Sequence, residues 1–218
     1  MKSIREIIRN WRQYGKLADL GEISRRKFFN NCFDGALTCA GIVSGIFIIF
    51  LGPTKIQFTP QNVLITGLAT ALAIGISGLW GAFLSEEAER KKKVDDMKKD
   101  MAEVKETTED KEKNKNENKK QEKTLLEKAE RFATIVASLV DGGAPAIGSI
   151  LPLIPFFFGI ELSFIHFIFS YIILAGLLIY LGIFLGNISG GGKIRYAIHL
   201  VTAGVITLLI SLLLGQIT

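Results

Sequence analysis

Residues Asn31–Gly45 read NCFDGALTCAGIVSG and form the first half of an apolar segment that carries one carboxylate, Asp34. A weaker copy, VDGGAPAIGSILP, runs from Val140 to Pro152 and, aligned without gaps, places Asp141 on Asp34. An ionisable group inside an apolar run is costly in a bilayer and is by default a candidate functional group. Corresponding Gly- or Pro-interrupted segments in two halves of a chain are typical of transporters built from repeats. The sequence therefore predicts two related halves around these two acids.

A second match extends this repeat. WGAFLS at 80–85 resembles LGIFLG at 181–186, so that residues 33–85 and 140–186 correspond as two pairs of membrane helices. The last apolar run then stands outside the repeat.

The distribution of charge predicts a polytopic membrane protein. Of 218 residues, 49% are hydrophobic and 22% are charged, but the charges fall into two blocks and the apolar residues into five runs. A helix of about 20 residues crosses the ~30 Å hydrocarbon core of a bilayer. We therefore expect an all-α fold with five transmembrane helices, over residues 33–52, 61–84, 132–158, 164–185 and 197–214.

These helices divide the chain into four parts. Residues 1–32 place isoleucines and Trp11 at helical spacing among arginines, which predicts a cytoplasmic amphipathic segment at the bilayer surface. Residues 33–84 hold helices 1 and 2, and residues 132–218 hold helices 3 to 5. Between them, residues 85–131 carry 15 basic and 15 acidic residues, which predicts a charged, salt-bridged helical hairpin in the cytoplasm.

Two segments are expected to depart from a regular helix. Residues 113–120, KNKNENKK, contain no apolar side chain and predict a flexible tip for the hairpin. The third span contains Pro145, Pro152 and Pro155, and proline inside a helix removes a hydrogen-bond donor and clashes with the preceding turn. We expect this helix to be kinked or broken.

The basic residues predict the orientation in the membrane. Residues 1–30 contain 8 Lys and Arg, residues 85–131 contain 15 and the last loop contains 2, whereas the other loops and the C-terminus contain only Lys55. The positive-inside rule then places the N-terminus in the cytoplasm and the C-terminus outside the plasma membrane. Because these residues serve topology, the net charge of +5 does not indicate a nucleic-acid partner.

Asp34 has two interpretations. It is a cation ligand or proton carrier on a transport path, or it is a carboxylate that caps a helix start near the interface. It lies seven residues after Lys27, about 10 Å of helix, which is deep for a solvated cap, and the transport path is therefore preferred. For Asp141 both interpretations stay open, because Pro145 and the preceding glycines allow a helix to start there.

Further acids could bind cations. Glu86 and Glu87 lie where the second span leaves the membrane, so they could extend the transport path. Carboxylates three residues apart share a helix face and suit a hard divalent cation. Such pairs, predicted as metal ligands together with Asp34, are Glu86 with Glu89, Glu103 with Glu106, and Glu127 with Glu130. Lysines stand within a turn of each acid, and a solvated, salt-bridged face is the alternative.

No enzymatic site is predicted. The string EExxR at 86–90 occurs in certain intramembrane proteases, but His166 and His199 lack the companion motifs that those proteases need. A GxxxxGK[ST] phosphate loop is absent, and no tightly bound cofactor is expected. Gly41 and Gly45 form a GxxxG pair, which predicts close approach to another helix or to a second copy of the same helix.

The strings FDGALTCAGIVSG, LSEEAER and DGGAPAIGSILPLIPF resemble the vacuolar iron transporter family, and they resemble its uncharacterised prokaryotic branch most. The resemblance implies five membrane helices, a homodimer, and exchange of ferrous or manganous ions for protons along a path between the first helices of two protomers. It places the transport aspartate on Asp34. The family's second-helix methionine and glutamate fall on Gly78 and Ala82, which cannot bind a metal.

The expected function is therefore divalent cation transport, with iron- or manganese-like substrates and coupling to protons. The lipid bilayer, a second copy of the chain, the cation and protons are the expected partners. The alternative is a membrane scaffold that does not transport and whose charged hairpin binds a cytoplasmic protein.

Overall fold

The computed structural model describes residues 20–52, 58–105 and 113–215. Five α-helices and one 3-10 helix account for nearly all of them. They are α1 (Leu20–Leu51), α2 (Pro60–Lys105), α3 (Lys113–Ile150), the 3-10 helix (Leu151–Phe157), α4 (Phe164–Ser189) and α5 (Lys193–Gly215). The described residues contain no β-strand, which confirms the all-α fold.

Five helical stretches are long and apolar enough to cross a membrane, and this is the architecture of an integral membrane protein. They are Leu20–Leu51, Pro60–Glu89, Arg131–Phe157, Phe164–Ser189 and Lys193–Leu214. Each of the five predicted spans coincides with one of them, and the first and third predicted spans extend one residue past its end. The isoleucines and Trp11 of the predicted amphipathic segment lie outside the described residues, whereas the helix that carries Asp34 begins by Leu20.

The start of α3 differs from the sequence prediction. Residues 113–120, expected to form a flexible tip, are the first residues of this helix. Lysine and glutamate have high helix propensity, and asparagine lowers it only modestly. The absence of apolar residues therefore did not exclude a helix.

The chain divides into two compact units, and the candidate transport aspartates lie in the same one. The first unit holds residues 20–26, 78–105 and 113–140, and the second holds residues 27–52, 58–77 and 141–215. Each unit is described by itself below.

The second unit packs α1 in the middle of its core. Two clusters of buried residues line this helix, and alanine and cysteine on α1 leave room for large side chains from the other elements. The first cluster comprises Phe29, Cys32, Ala36, Ala40, Ala144, Leu174, Leu178, Leu181 and Leu200. The second comprises Cys39, Val43, Ile46, Val63, Leu64, Leu153, Phe156 and Phe167.

The third span changes its helical type at Leu151. The α-helix continues through Pro145 to Ile150, and the residues LPLIPFF then form the 3-10 helix. The buried hydroxyl of Ser170 in α4 donates a hydrogen bond of 2.7 Å to the carbonyl oxygen of Pro152. A neighbouring helix thus satisfies a backbone acceptor at the point where the α-helical pattern ends, as a bilayer requires.

The last two helices pack through small residues. A methyl group added at Gly182 would overlap the backbone of Ala197, and one added at Gly186 would overlap the backbone of Lys193. Gly190 ends α4 in the left-handed conformation, with φ of 66°, which glycine adopts at little cost. This turn brings α5 back along α4 after a short connection.

Candidate functional site

Asp34 lies on a line of polar and small residues along α1. Its members recur at alternating spacings of four and three residues and therefore share one helix face. They are Lys27, Asn31, Asp34, Thr38, Gly41 and Gly45, and we call them the polar stripe. The buried core residues of α1, such as Cys32, Ala36 and Val43, lie on the opposite side. The stripe is thus separate from the packed core.

The middle of the polar stripe is open. Asp34 is exposed, and its carboxylate has no hydrogen bond or ion pair with any residue that the structure describes. Thr38 donates its hydroxyl hydrogen bond to the backbone oxygen of Asp34, at 2.8 Å, rather than to the carboxylate. Methyl groups added at Gly41 or Gly45 would meet no atom within 4 Å. The chain itself therefore covers neither the carboxylate nor the glycine pair next to it.

Asp141 is in a different state, because both of its carboxylate oxygens are bound. Lys27 Nζ lies 2.7 Å from Asp141 Oδ2, and the two side chains are only 24% and 14% exposed. Asn31 Nδ2 donates a hydrogen bond of 2.7 Å to Asp141 Oδ1. Two residues one turn apart on α1 thus hold one acid of α3. Charge-assisted hydrogen bonds of this kind are short and strong.

Glycines allow α1 and α3 to cross closely just beyond this ion pair. A methyl group on Gly35 would overlap the carbonyl group of Pro145, and one on Gly148 would overlap the carbonyl group of Cys32. The buried hydroxyl of Ser149 donates a hydrogen bond of 2.9 Å to the backbone oxygen of Gly35. Close backbone contact through small residues and hydroxyl bonds is a common way for helices to associate in membranes.

The glutamates at the end of the second span belong to the first unit. Glu87 Oε1 forms an exposed ion pair of 3.1 Å with Lys91, one turn along α2. Glu86 and Glu89 also have interaction partners. A surface pair of this type contributes about 0–1 kcal/mol to stability. For Glu87, the local arrangement agrees with the alternative that the sequence left open, in which a lysine neutralises the acid.

The other predicted metal ligands are only partly described. Glu103 lies in α2, Glu127 and Glu130 lie in α3, and Glu106 lies outside the described residues. Among residues 20–52, 58–105 and 113–215, no group of three or more histidine, cysteine, aspartate or glutamate side chains is placed to hold a metal ion. A cation at Asp34 would therefore need ligands of another type or from another chain.

Sequence reasoning missed Lys27 and Asn31 as functional residues. Lys27 was counted only among the basic residues that indicate orientation, and Asn31 was quoted without a role. The signal that could have identified them is their spacing, because both continue the four-and-three pattern of Asp34, Thr38 and the glycines towards the start of α1. Lys27 is the only member of the stripe with a positive charge.

The histidines lie away from the polar stripe. His166 stands in the first turn of α4, where Nε2 is 2.6 Å from the carbonyl oxygen of Phe158 and Nδ1 accepts a hydrogen bond from the Ser163 backbone at 3.2 Å. Its ring stacks on Phe156. His199 is exposed on α5. The structure thus gives His166 a role in capping α4, and neither histidine belongs to the polar stripe of α1.

Comparison with known proteins adds one relative. No model of a known protein family matches the chain. An uncharacterised protein of Methanocaldococcus jannaschii is 26% identical over 181 residues, which is 83% of this chain and 83% of that protein. The likeness extends over most of both chains and carries no activity with it.

Proposed function

We propose that the protein transports divalent metal cations across a membrane in exchange for protons. The path is lined by the polar stripe of α1 where two copies of the chain meet. The observation that carries the proposal is the open carboxylate of Asp34, which stands seven residues, about 10 Å of helix, after Lys27 in a helix long and apolar enough to span the bilayer. A carboxylate that faces lipid at such a depth is costly and needs water, a cation or a partner.

The surroundings of Asp34 support a second copy of the chain as the cover. Gly41 and Gly45 lie on the same face and leave the α1 backbone accessible. Two such helices related by a twofold axis would pack stripe against stripe, and this would place two Asp34 carboxylates opposite each other. Two facing acids attract a divalent cation and, in its absence, share protons, so one site can exchange a cation for protons.

The identity of the cation follows from the available ligands. The resemblance to the vacuolar iron transporter family favours ferrous or manganous ions. Gly78 and Ala82 supply neither the sulfur nor the second carboxylate expected from that family, so oxygen ligands dominate. Positive-inside counting places the start of α1 in the cytoplasm of a plasma-membrane protein, so Lys27 and Asp141 would stand on the cytoplasmic side of Asp34.

Cation flux into proteoliposomes tests this function. Purified protein is reconstituted, and uptake of manganous, ferrous and other divalent ions is followed with and without a proton gradient. We expect gradient-dependent flux that Asp34→Asn abolishes. Glu161→Gln is the matched control, because Glu161 is an exposed acid in the connection between the 3-10 helix and α4. Absence of flux for every cation would overturn transport and favour the scaffold that binds a partner through its charged hairpin.

Crosslinking tests the interface independently of flux. In a variant without Cys32 and Cys39, a cysteine at position 41 should form a disulfide between two copies in membranes. A cysteine at position 176 is the control, because Gly176 on α4 also has open space around it but lies off the stripe. A disulfide at position 176 and none at position 41 would contradict an interface along α1.

A further inference from the structure

We propose that Asn31 is a further cation ligand of the Asp34 site and that the ion pair between Lys27 and Asp141 positions it. This inference rests on the proposed function and specifies the ligands and the class of cation. It starts from the inequivalence of the two aspartates. Asp141 already holds an ammonium and an amide, whereas Asp34 holds neither. Asp141 therefore acts as an anchor, and Asp34 as the acid that exchanges its cation.

The bond to Asp141 fixes the orientation of the Asn31 amide. An ionised carboxylate only accepts hydrogen bonds, so the amide nitrogen of Asn31 must face Asp141 Oδ1, from which it lies 2.7 Å. The carbonyl oxygen then occupies the other edge of the planar amide group. Within the described part of the chain no residue donates a hydrogen bond to this oxygen. It is an acceptor that the fold orients and leaves available.

Asn31 and Asp34 are close enough to share an ion. Residues three apart on a helix are neighbours, with about 5–6 Å between their Cβ atoms. Both lie on the polar stripe. A cation held by the Asp34 carboxylate can therefore reach the carbonyl oxygen of Asn31 on the same helix face. A second copy of the chain, packed stripe against stripe, would supply the same two groups and complete a set of oxygen ligands.

The ion pair also controls the charge beside this site. Lys27 is two turns before Asp34 on the same stripe, and an ammonium released from its contact with Asp141 would compete more strongly with an incoming cation for the Asp34 carboxylate. Asp141 holds Lys27 by a contact of 2.7 Å and cancels its charge. Removing Asp141 should therefore weaken cation binding at Asp34 although Asp141 itself binds no transported ion.

The ligand set indicates a hard divalent cation. Carboxylate and amide oxygens suit Mn²⁺ and Mg²⁺, whereas softer ions prefer sulfur. The cysteines of α1 do not contribute, because Cys32 and Cys39 are each only 1% exposed and lie on the core side of the helix. We therefore assign the site to Mn²⁺-like cations with a preference for oxygen ligands.

Manganese binding measured by electron paramagnetic resonance tests the assignment without a flux assay. The signal of free Mn²⁺ falls as the purified protein binds it. Asn31→Leu removes the carbonyl oxygen at similar volume, and Asn187→Leu changes an exposed asparagine of α4 as a control. We expect Asn31→Leu to weaken Mn²⁺ affinity about tenfold or more, and Asn187→Leu to leave it unchanged.

The role of the ion pair is tested by rescue. Asp141→Asn should weaken Mn²⁺ affinity about tenfold, and addition of Lys27→Met should restore most of it, because the competing ammonium is gone. If the pair were only structural, affinity would follow thermal stability in both variants, and the double variant would recover affinity only as far as it recovers stability. Either a lack of recovery beyond that of stability or an unchanged Mn²⁺ affinity in Asn31→Leu would overturn the inference. The proposed function would still stand if the wild type bound Mn²⁺ and Asp34→Asn did not. Absence of Mn²⁺ binding by the wild type would overturn both.

Discussion

Gly148 of α3 packs directly against the backbone carbonyl of Cys32 in α1, with no room for a side chain between the two helices. On the far side of the same crossing, Gly35 packs in the same manner against Pro145. The crossing fixes α1 on its core side and leaves the middle of the polar stripe, around Asp34, uncovered.

Substitution of Gly148 by alanine should destabilise the protein. The added methyl group meets backbone atoms that cannot move without separating the helices, and overpacking of this kind costs about 1–3 kcal/mol. The change is measured as a lower unfolding temperature in detergent. Gly143→Ala is the control, because Gly143 lies on the same helix and a methyl group there would meet no atom within 4 Å. Equal effects of the two substitutions would contradict the close crossing.

The ion pair between Lys27 and Asp141 should show strong coupling in a double-mutant cycle. Lys27→Met leaves a partly buried carboxylate with one donor, and Asp141→Leu leaves a partly buried ammonium. Each change should cost about 1–3 kcal/mol of unfolding free energy, since an unsatisfied charged group loses its solvation. The double variant should be more stable than the sum of the two losses predicts. A loss of unfolding free energy in the double variant equal to the sum of the two single losses would show that the pair is not formed.

Sequence reasoning predicted the helices but not the different contacts that the two aspartates make. Five apolar runs of membrane length are a strong signal, and each gave a helix. The repeat, however, aligned Asp34 with Asp141 as if they were equivalent. The same alignment places Thr134 opposite Lys27 and Ser138 opposite Asn31, so the residues that bind Asp141 have no counterpart for Asp34. The inequivalence depends on contacts between α1 and α3, which a repeat within one chain does not reveal.

The prolines of the third span predicted that it departs from a regular α-helix, but they did not predict where. Pro145 was the first proline in the span, yet the α-helix continues through it and changes only at Leu151. Pro145 packs at the glycine crossing, where tertiary contacts stabilise the helix around it. Pro152 and Pro155 lie three residues apart and favour the tighter helix that follows. Tertiary packing thus decided which of the three prolines ends the α-helix.

His166 should stabilise the first turn of α4. Phe158 offers only a carbonyl oxygen, so Nε2 of His166 carries the proton and Nδ1 accepts from Ser163. His166→Ala removes both interactions and should cost about 0.5–2 kcal/mol, as the loss of a helix cap does. The loss is measured as a lower unfolding temperature. His199→Ala, at an exposed position on α5, is the control and should leave that temperature unchanged. Nitrogen NMR should show the tautomer with the proton on Nε2, and the opposite tautomer would contradict the capping arrangement.

Ser170 should be needed for the stability of the 3-10 helix. Its hydroxyl is buried and donates to the carbonyl oxygen of Pro152, which lies where the α-helical bonding pattern ends. Ser170→Ala leaves that carbonyl without its donor in an apolar environment, and we expect a loss of about 1–3 kcal/mol. Thr202→Val is the matched control, because the exposed hydroxyl of Thr202 bonds only to the backbone of its own helix. Hydrogen exchange of residues 151–157 should accelerate in Ser170→Ala and not in Thr202→Val. Equal exchange rates in both variants would show that α4 does not support this segment.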